Sequence, residues 1–208
     1  MTNTYMLAGP HHPEEIIAPI QRDWRTGRIT SISPRSRFLL GFPTFAGPRR
    51  LTPAMAARAL LPVELISGGR GVIIPSAVFG RLGLFDDVRL PHYGADHDFY
   101  LCARRRGIRL YVATRAFVDI DTTRTTLADD PGAMTLRQFR DSLRSIRSHR
   151  NLRDVKALFR KHYPIPGLHL LGVGLYTARY LAIYLIKRTV RRLTARCGRM
   201  GEERFENN

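Results

Sequence analysis

Residues 67–121 constrain the chain most, because their glycines and prolines leave room only for short elements in a fixed order. The stretch reads SGGRGVIIPSAVFGRLGLFDDVRLPHYGADHDFYLCARRRGIRLYVATRAFVDID. Gly71-Val72-Ile73-Ile74-Pro75 is an apolar run bounded by breakers, which predicts a buried strand. Ser76 is expected to cap a helix running through Leu82, with Gly83 ending it. Residues 98–106 predict a basic helix closed by Gly107, and residues 109–113 the next strand. The alternation predicts an α/β unit.

Before this stretch, residues 1–62 are rich in Pro, Gly and Arg and weakly periodic. Residues 16–20 and 28–32 predict short strands joined by a Trp24-Arg25-Thr26-Gly27 turn. Residues 53–61 predict a short helix, with Thr52 as N-cap and Pro53 at its first position. The expected organisation is an irregular segment over 1–62, a compact unit over 63–130 and a helical region over 131–208.

In the helical region Leu136, Phe139, Leu143 and Ile146 recur at core-facing spacing. Arg137, Arg140, Arg144 and Arg147 follow one step on, and a solvated face is the favoured reading for them. Residues 166–186 (PGLHLLGVGLYTARYLAIYLI) are the most apolar, interrupted by His169 and Arg179. Arg179 shares a helical face with Leu175 and Ile183, so rotation is not expected to hide it, and a central arginine costs about 2.5–3.5 kcal/mol on insertion scales. The basic tail KRTVRRLTAR follows, with Lys187, Arg188, Arg191, Arg192 and Arg196 suited to lipid headgroups. Three readings stand: an interfacial helix anchored by the tail, which is favoured; a packed helix; and a membrane span.

The charge balance narrows the partner. Against 17 Asp+Glu stand 34 Lys+Arg, a net +17, in a chain of 208 residues long enough to bury a core. Such an excess implies an anionic partner: nucleic acid, an acidic membrane face or a phosphorylated substrate. Nucleic acid is disfavoured, since aromatics are not interleaved with the arginines and no binding motif appears. Cys102 and Cys197 are too few and too far apart for a disulfide framework or zinc site, which suggests a reducing compartment. The first fifteen residues lack the basic start and apolar core of a signal peptide.

Two sites carry candidate chemistry. Ser67-Gly68-Gly69-Arg70-Gly71 lets the backbone approach a ligand closely, with Arg70 in range of a phosphate or sugar hydroxyl. A tight loop is the plainer reading. In Tyr93-Gly94-Ala95-Asp96-His97-Asp98-Phe99 two carboxylates stand at a helix start, where dipole and free amides favour them. Asp98 occupies the expected N-cap position, leaving Asp96 to take a proton or orient a hydroxyl. Asp119-Ile120-Asp121 is a second acidic pair, at a strand end, where a metal or hydroxyl would fit.

Gly71 to Pro75, then Val78-Phe79 with Gly83-Leu84-Phe85-Asp86, then Pro91 to Phe99 with Ala103-Arg104-Arg105-Arg106-Gly107, together resemble the second half of the family 2 inverting glycosyltransferases with a GT-A fold. The nearest flavour is the bacterial set acting on cell-surface polysaccharides. The resemblance covers residues 63–121, with weaker echoes at Thr26-Gly27-Arg28-Ile29 and Ser148-His149-Arg150-Asn151-Leu152. It implies an α/β, partial GT-A-like domain lacking the N-terminal nucleotide-binding half, followed by a helical region. Asp96 would be the general base, Asp98 its companion, and Gly69 and Arg70 the loop bordering the pocket. Ala95 stands where the family often has Glu.

The family implies a nucleotide-sugar donor, a glycan or lipid-linked acceptor, and a divalent metal (Mg or Mn) whose ligands are not identifiable in this sequence. The metal motif of the family belongs to the first half, and the two Asp-x-Asp strings here lie in another context. A truncated enzyme, or one completed by a chain supplying that half, is the expectation. Its expected place is the cytoplasmic side, peripheral at the inner face of the membrane. The alternative is a non-catalytic basic module on an anionic membrane surface or nucleic acid.

Overall fold

The computed structural model describes residues 14–124 and 130–206; the expectations for residues 1–13 and for the side chains of Arg196 and Cys197 fall outside them. Six strands form: β1 (Ile16–Asp23), β2 (Ile29–Ser31), β3 (Arg35–Arg37), β4 (Phe42–Phe45), β5 (Leu60–Pro62) and β6 (Leu110–Ile120). The α-helices are α1 (Pro53–Ala56), α2 (Ser76–Leu82), α3 (Ala95–Arg105), α4 (Leu136–Ser142), α5 (Leu152–His162) and α6 (His169–Glu206). A mixed four-stranded sheet runs β2-β1-β6-β5, with β1 and β6 parallel and both outer pairs antiparallel; β3 and β4 form a separate ribbon. The protein is therefore mixed α/β with a long C-terminal helix. Strands from 1–62 and from 63–130 share this one sheet.

The β1 sequence IIAPIQRD is buried almost throughout, and its first five residues are the apolar run expected of a strand covered on both faces. Its Pro19 cannot donate to a ladder, and the register with β6 breaks there, jumping from Pro19↔Ala113 to Ile20↔Phe117. As expected, Trp24 to Gly27 turns the chain into β2, with Gly27 donating to the Asp23 carbonyl at 2.8 Å.

Several expected elements differ. Residues 71–75 make only one bridge, Ile73 to Ile17, because Gly71 is left-handed and Pro75 leads into α2. That bridge covers the part of β1 that the short β2 does not reach. The helix expected over 53–61 stops at Ala56; Thr52 caps it as expected, but residues 60–62 pair with β6 instead. Ser76 is the first residue of α2 and caps nothing, whereas Gly83 does end that helix. The strand expected over 109–113 extends to Ile120.

The apolar stripe expected from Leu136 to Ile146 is interrupted. Thr135 and Gln138 form a reciprocal capping box at the start of α4, but the helix ends at Ser142. Phe139 is buried and stacks on Tyr184 at 4.4 Å, whereas Leu136 and Ile146 are exposed. One core joins Ile16, Leu65, Phe99, Leu110, Phe159 and Tyr176, so sheet, α3, α5 and α6 pack together. Contact between α5 and α6 is close: a Cβ on Gly172 would lie 2.5 Å from the Phe159 ring.

Arg179 is the clearest correction. It is turned toward the body of the protein, with its guanidinium 3.7 Å from the Phe42 ring centroid and against Tyr176 and Tyr180. The outward face instead carries Leu171, Leu175, Leu181, Leu185, Ile186 and Leu193, all exposed. Rotation does hide the arginine among the inward aromatic rings, and the outward face of the helix is apolar as well.

Candidate functional site

Asp96 lies in the first turn of α3, whose N-cap is Gly94 with φ 91°. The helix starts three residues earlier than expected, so Asp98 is no N-cap but sits inside the first turn. The Asp96 carboxylate is half-buried and accepts a hydrogen bond from the His97 amide at 2.8 Å. It faces the glycine loop: a Cβ on Gly68 would lie 3.7 Å from Asp96 Oδ2, and one on Gly69 4.0 Å.

That loop is held from below. The Tyr100 hydroxyl donates to the Gly68 carbonyl at 3.2 Å, and the Gln21 amide donates to the Ser67 carbonyl. Gly68 and Gly71 both adopt φ near 69°, which a side chain would strain. Burial, then the negative charge of Asp96, pushes the Tyr100 phenol above its ordinary value, so it remains a donor. Arg70 is exposed on the same loop. The structure thus brings Asp96, Gly69 and the Arg70 loop together.

Asp98 is separated from this group. Its side chain is buried, accepting from Lys161 Nζ at 2.6 Å and His162 Nε2 at 2.6 Å. Burial alone would favour the neutral acid, but those two hydrogen bonds hold its carboxyl below the usual range. Asp98 joins α3 to α5. Sequence reasoning missed this pair because Lys161 and His162 are more than sixty positions away.

Asp98, Cys102 and His162 bring donor atoms within 4.8 Å of one another. A cation fits them poorly: both Asp98 oxygens are engaged, one by an ammonium already. Burial, then the Asp98 charge, also raises the Cys102 thiol, disfavouring the thiolate a metal needs. The strand-end pair is no better placed. Asp119 is held by Arg22 at 2.5 and 3.2 Å, and Asp121 accepts from the Thr123 amide and hydroxyl at 2.9 and 2.6 Å. Among the described residues no acidic pair fits the divalent metal of the family.

Two cavities flank these elements, and Asp96 lines neither. One, of about 510 Å³, opens at the carboxyl ends of β1 and β6 beside Asp23, Arg25, Arg28 and Arg49. Hydrogen bonds from the Thr122 and Thr26 hydroxyls lead those that pull Asp23 down to about 2, so it is a fixed anion holding the turn. The other, of about 490 Å³, lies between the loop before α3 and the exposed face of α5. Neither has a local sequence signal, because each joins residues distant in the chain.

His149 yields a pH prediction. Burial, then the Arg150 charge, lowers its imidazole from 6.5 to about 4. A depressed folded value contributes stability above the unfolded pKa, lost as pH falls through the folded one. Burial lowers His162 in the same sense, whereas burial raises Asp154, whose contribution has the opposite sign above its ordinary value. Urea unfolding is therefore expected to show stability falling by about 3 kcal/mol between pH 6.5 and 4, with His149→Gln flattening that limb. A flat wild-type profile would contradict this account of the imidazole.

Fold and site together define a mixed α/β protein with a carboxylate exposed to a glycine loop. No family model, curated protein or solved structure matches the chain.

Proposed function

We propose that this chain forms the acceptor-side part of an inverting glycosyltransferase of the family 2, GT-A type. It would serve transfer of a sugar from a nucleotide-sugar donor to a cell-surface polysaccharide or glycolipid. The observation that carries this reading is the Asp96 carboxylate, half-buried at a helix start and facing Gly68 and Gly69. Its companion Asp98 is spent on Lys161 and His162, so Asp96 alone is free to accept a proton.

In this mechanism an acceptor hydroxyl enters between the glycine loop and α3, and Asp96 takes its proton. The oxygen attacks the anomeric carbon in line as the nucleotide diphosphate departs from the opposite face. Configuration inverts, and the proton remains on Asp96 until solvent removes it. Arg70 is suited to hold an acceptor hydroxyl or phosphate. The family uses a divalent metal at the diphosphate, and no described residues here fit one, so donor binding is assigned to a partnering half.

Calorimetry with UDP- and dTDP-sugars plus manganese tests that assignment. Binding by this chain alone is expected to be weak or undetectable. Micromolar affinity would contradict it and require a metal site within these residues.

The exposed apolar face of α6 favours attachment to a membrane surface, which the glycosyl-transfer reading assigns to the cytoplasmic side and which is also the core of the rival reading, a non-catalytic membrane-surface module. The segment His169–Thr194 is long and apolar enough to cross a bilayer. Its inner face is packed from Gly172 on Phe159 to Lys187 on Asp130, and a span would strip those contacts. A helix lying on the surface keeps them. The tail is weaker than its sequence suggests: Lys187 bonds Asp130 at 2.8 Å and Arg188 the Met134 carbonyl at 3.0 Å. Arg191 and Arg192 are the exposed cations left for headgroups among the described side chains.

A further inference from the structure

The 490 Å³ cavity beside α3 has a charge pattern that neither the fold nor the proposed general base uses. Arg153, Lys156 and Arg160 stand three and four residues apart, hence on one face of α5, and all are exposed. None of the three makes an ion pair within the described residues. Lys161 follows on the same helix, and across the cavity Asp86 takes both Arg89 and Lys161, at 3.1 and 4.0 Å. Five cations thus line one concavity with a single acid among them, and Lys161 is also committed to Asp98.

Like charges gathered in a concave site repel one another unless an anion enters, and the concavity focuses their field. A row of arginines and lysines on α5, faced by Arg89, matches a group with several anionic oxygens, which accepts charge-assisted hydrogen bonds from several donors at once. A single carboxylate would reach only part of that row. We propose that this cavity is a diphosphate-binding site, formed by α5 and the loop before α3.

The site adjoins the proposed catalytic turn: Lys161 bonds Asp98, two residues from Asp96 on α3. The choice of diphosphate rests on the glycosyl-transfer reading, in which a lipid-linked acceptor carries one, the nucleotide being assigned to the partnering half. Anion binding itself does not depend on that reading. Failure of sugar transfer would leave the cavity untouched, and failure of anion binding would leave Asp96 untouched.

The test is calorimetry of the full chain with inorganic pyrophosphate at fixed ionic strength. Saturable binding is expected, weakened about tenfold or more by Arg153→Gln with Arg160→Gln, which removes two of the converging donors. The control Arg137→Gln with Arg144→Gln deletes equal charge from an exposed region elsewhere and should leave affinity unchanged. Thermal melts verify that both variants are folded. No saturation, or an equal loss in the control, would overturn the site. Farnesyl diphosphate and uridine diphosphate distinguish the sources: tighter binding of the first is expected and assigns a lipid carrier, whereas tighter binding of the second would overturn that source and the assignment of donor binding to a partnering half. Binding of orthophosphate as tightly as pyrophosphate would overturn the assignment to diphosphate.

Discussion

Asp98→Ala is expected to destabilise the chain by about 3–5 kcal/mol, the cost of leaving a buried ion pair without one partner. The carboxylate is nearly inaccessible, and its two oxygens receive separate hydrogen bonds from Lys161 and His162. Deleting it strands His162, itself buried with Nδ1 already unpartnered, and leaves the Arg105 bond to the Lys161 carbonyl, 2.9 Å, as the remaining hydrogen bond described between α3 and the end of α5. Asp96→Asn, two residues away, should cost less than about 1 kcal/mol, since it loses little more than a helix-dipole interaction. Urea unfolding of both variants measures the contrast. An Asp98→Ala cost below about 1 kcal/mol would contradict the structural role assigned to that residue.

Leu181→Asp with Leu185→Asp should reduce binding to anionic vesicles by about a hundredfold or more. Each leucine is worth about 1.5–3 kcal/mol when fully buried, and both are about half exposed on the outward face of α6. Because that face is already open to solvent, the variant should retain the stability of the wild type. High salt should weaken retention without abolishing it, since Arg191 and Arg192 supply about 1 kcal/mol each. Co-sedimentation with anionic and neutral liposomes, with and without carbonate wash, provides the measurement. Retention through carbonate would establish a span, and no retention on any vesicle would reduce α6 to a packed helix.

Local chemistry made part of this fold legible. The turn from Trp24 to Gly27, the Thr52 cap and the stop at Gly83 each depend on a few adjacent residues, and each formed as expected. Elements that depend on distant pairing did not. Residues 60–62 carry no strand signal of their own and become β5 because β6 offers an unpaired edge. The glycine-bounded run at 71–75 reads as a strand yet makes a single bridge, since Gly71 bends away and Pro75 opens a helix.

The candidate site divides in the same way. Asp96 and the glycine loop were visible from residue type and spacing, although their proximity was not. The two aspartates look equivalent in sequence, and only packing separates them by turning Asp98 onto α5. Arg179 shows the limit of a helical wheel: the wheel gives its neighbours on the helix, but not that Phe42 is waiting on that side.

Sugar incorporation into membranes of cells expressing the chain, measured with a panel of radiolabelled nucleotide-sugars, tests the central claim most directly. In cells that also supply the donor-binding half, wild-type protein should support chain-dependent incorporation from one donor. Asp96→Asn, at equal stability and equal membrane retention, should lower it by about 10²–10⁴-fold, the usual contribution of a general base. Incorporation unchanged by Asp96→Asn, or chain-independent with every donor, would contradict the assignment of Asp96 as the base of a glycosyl transfer.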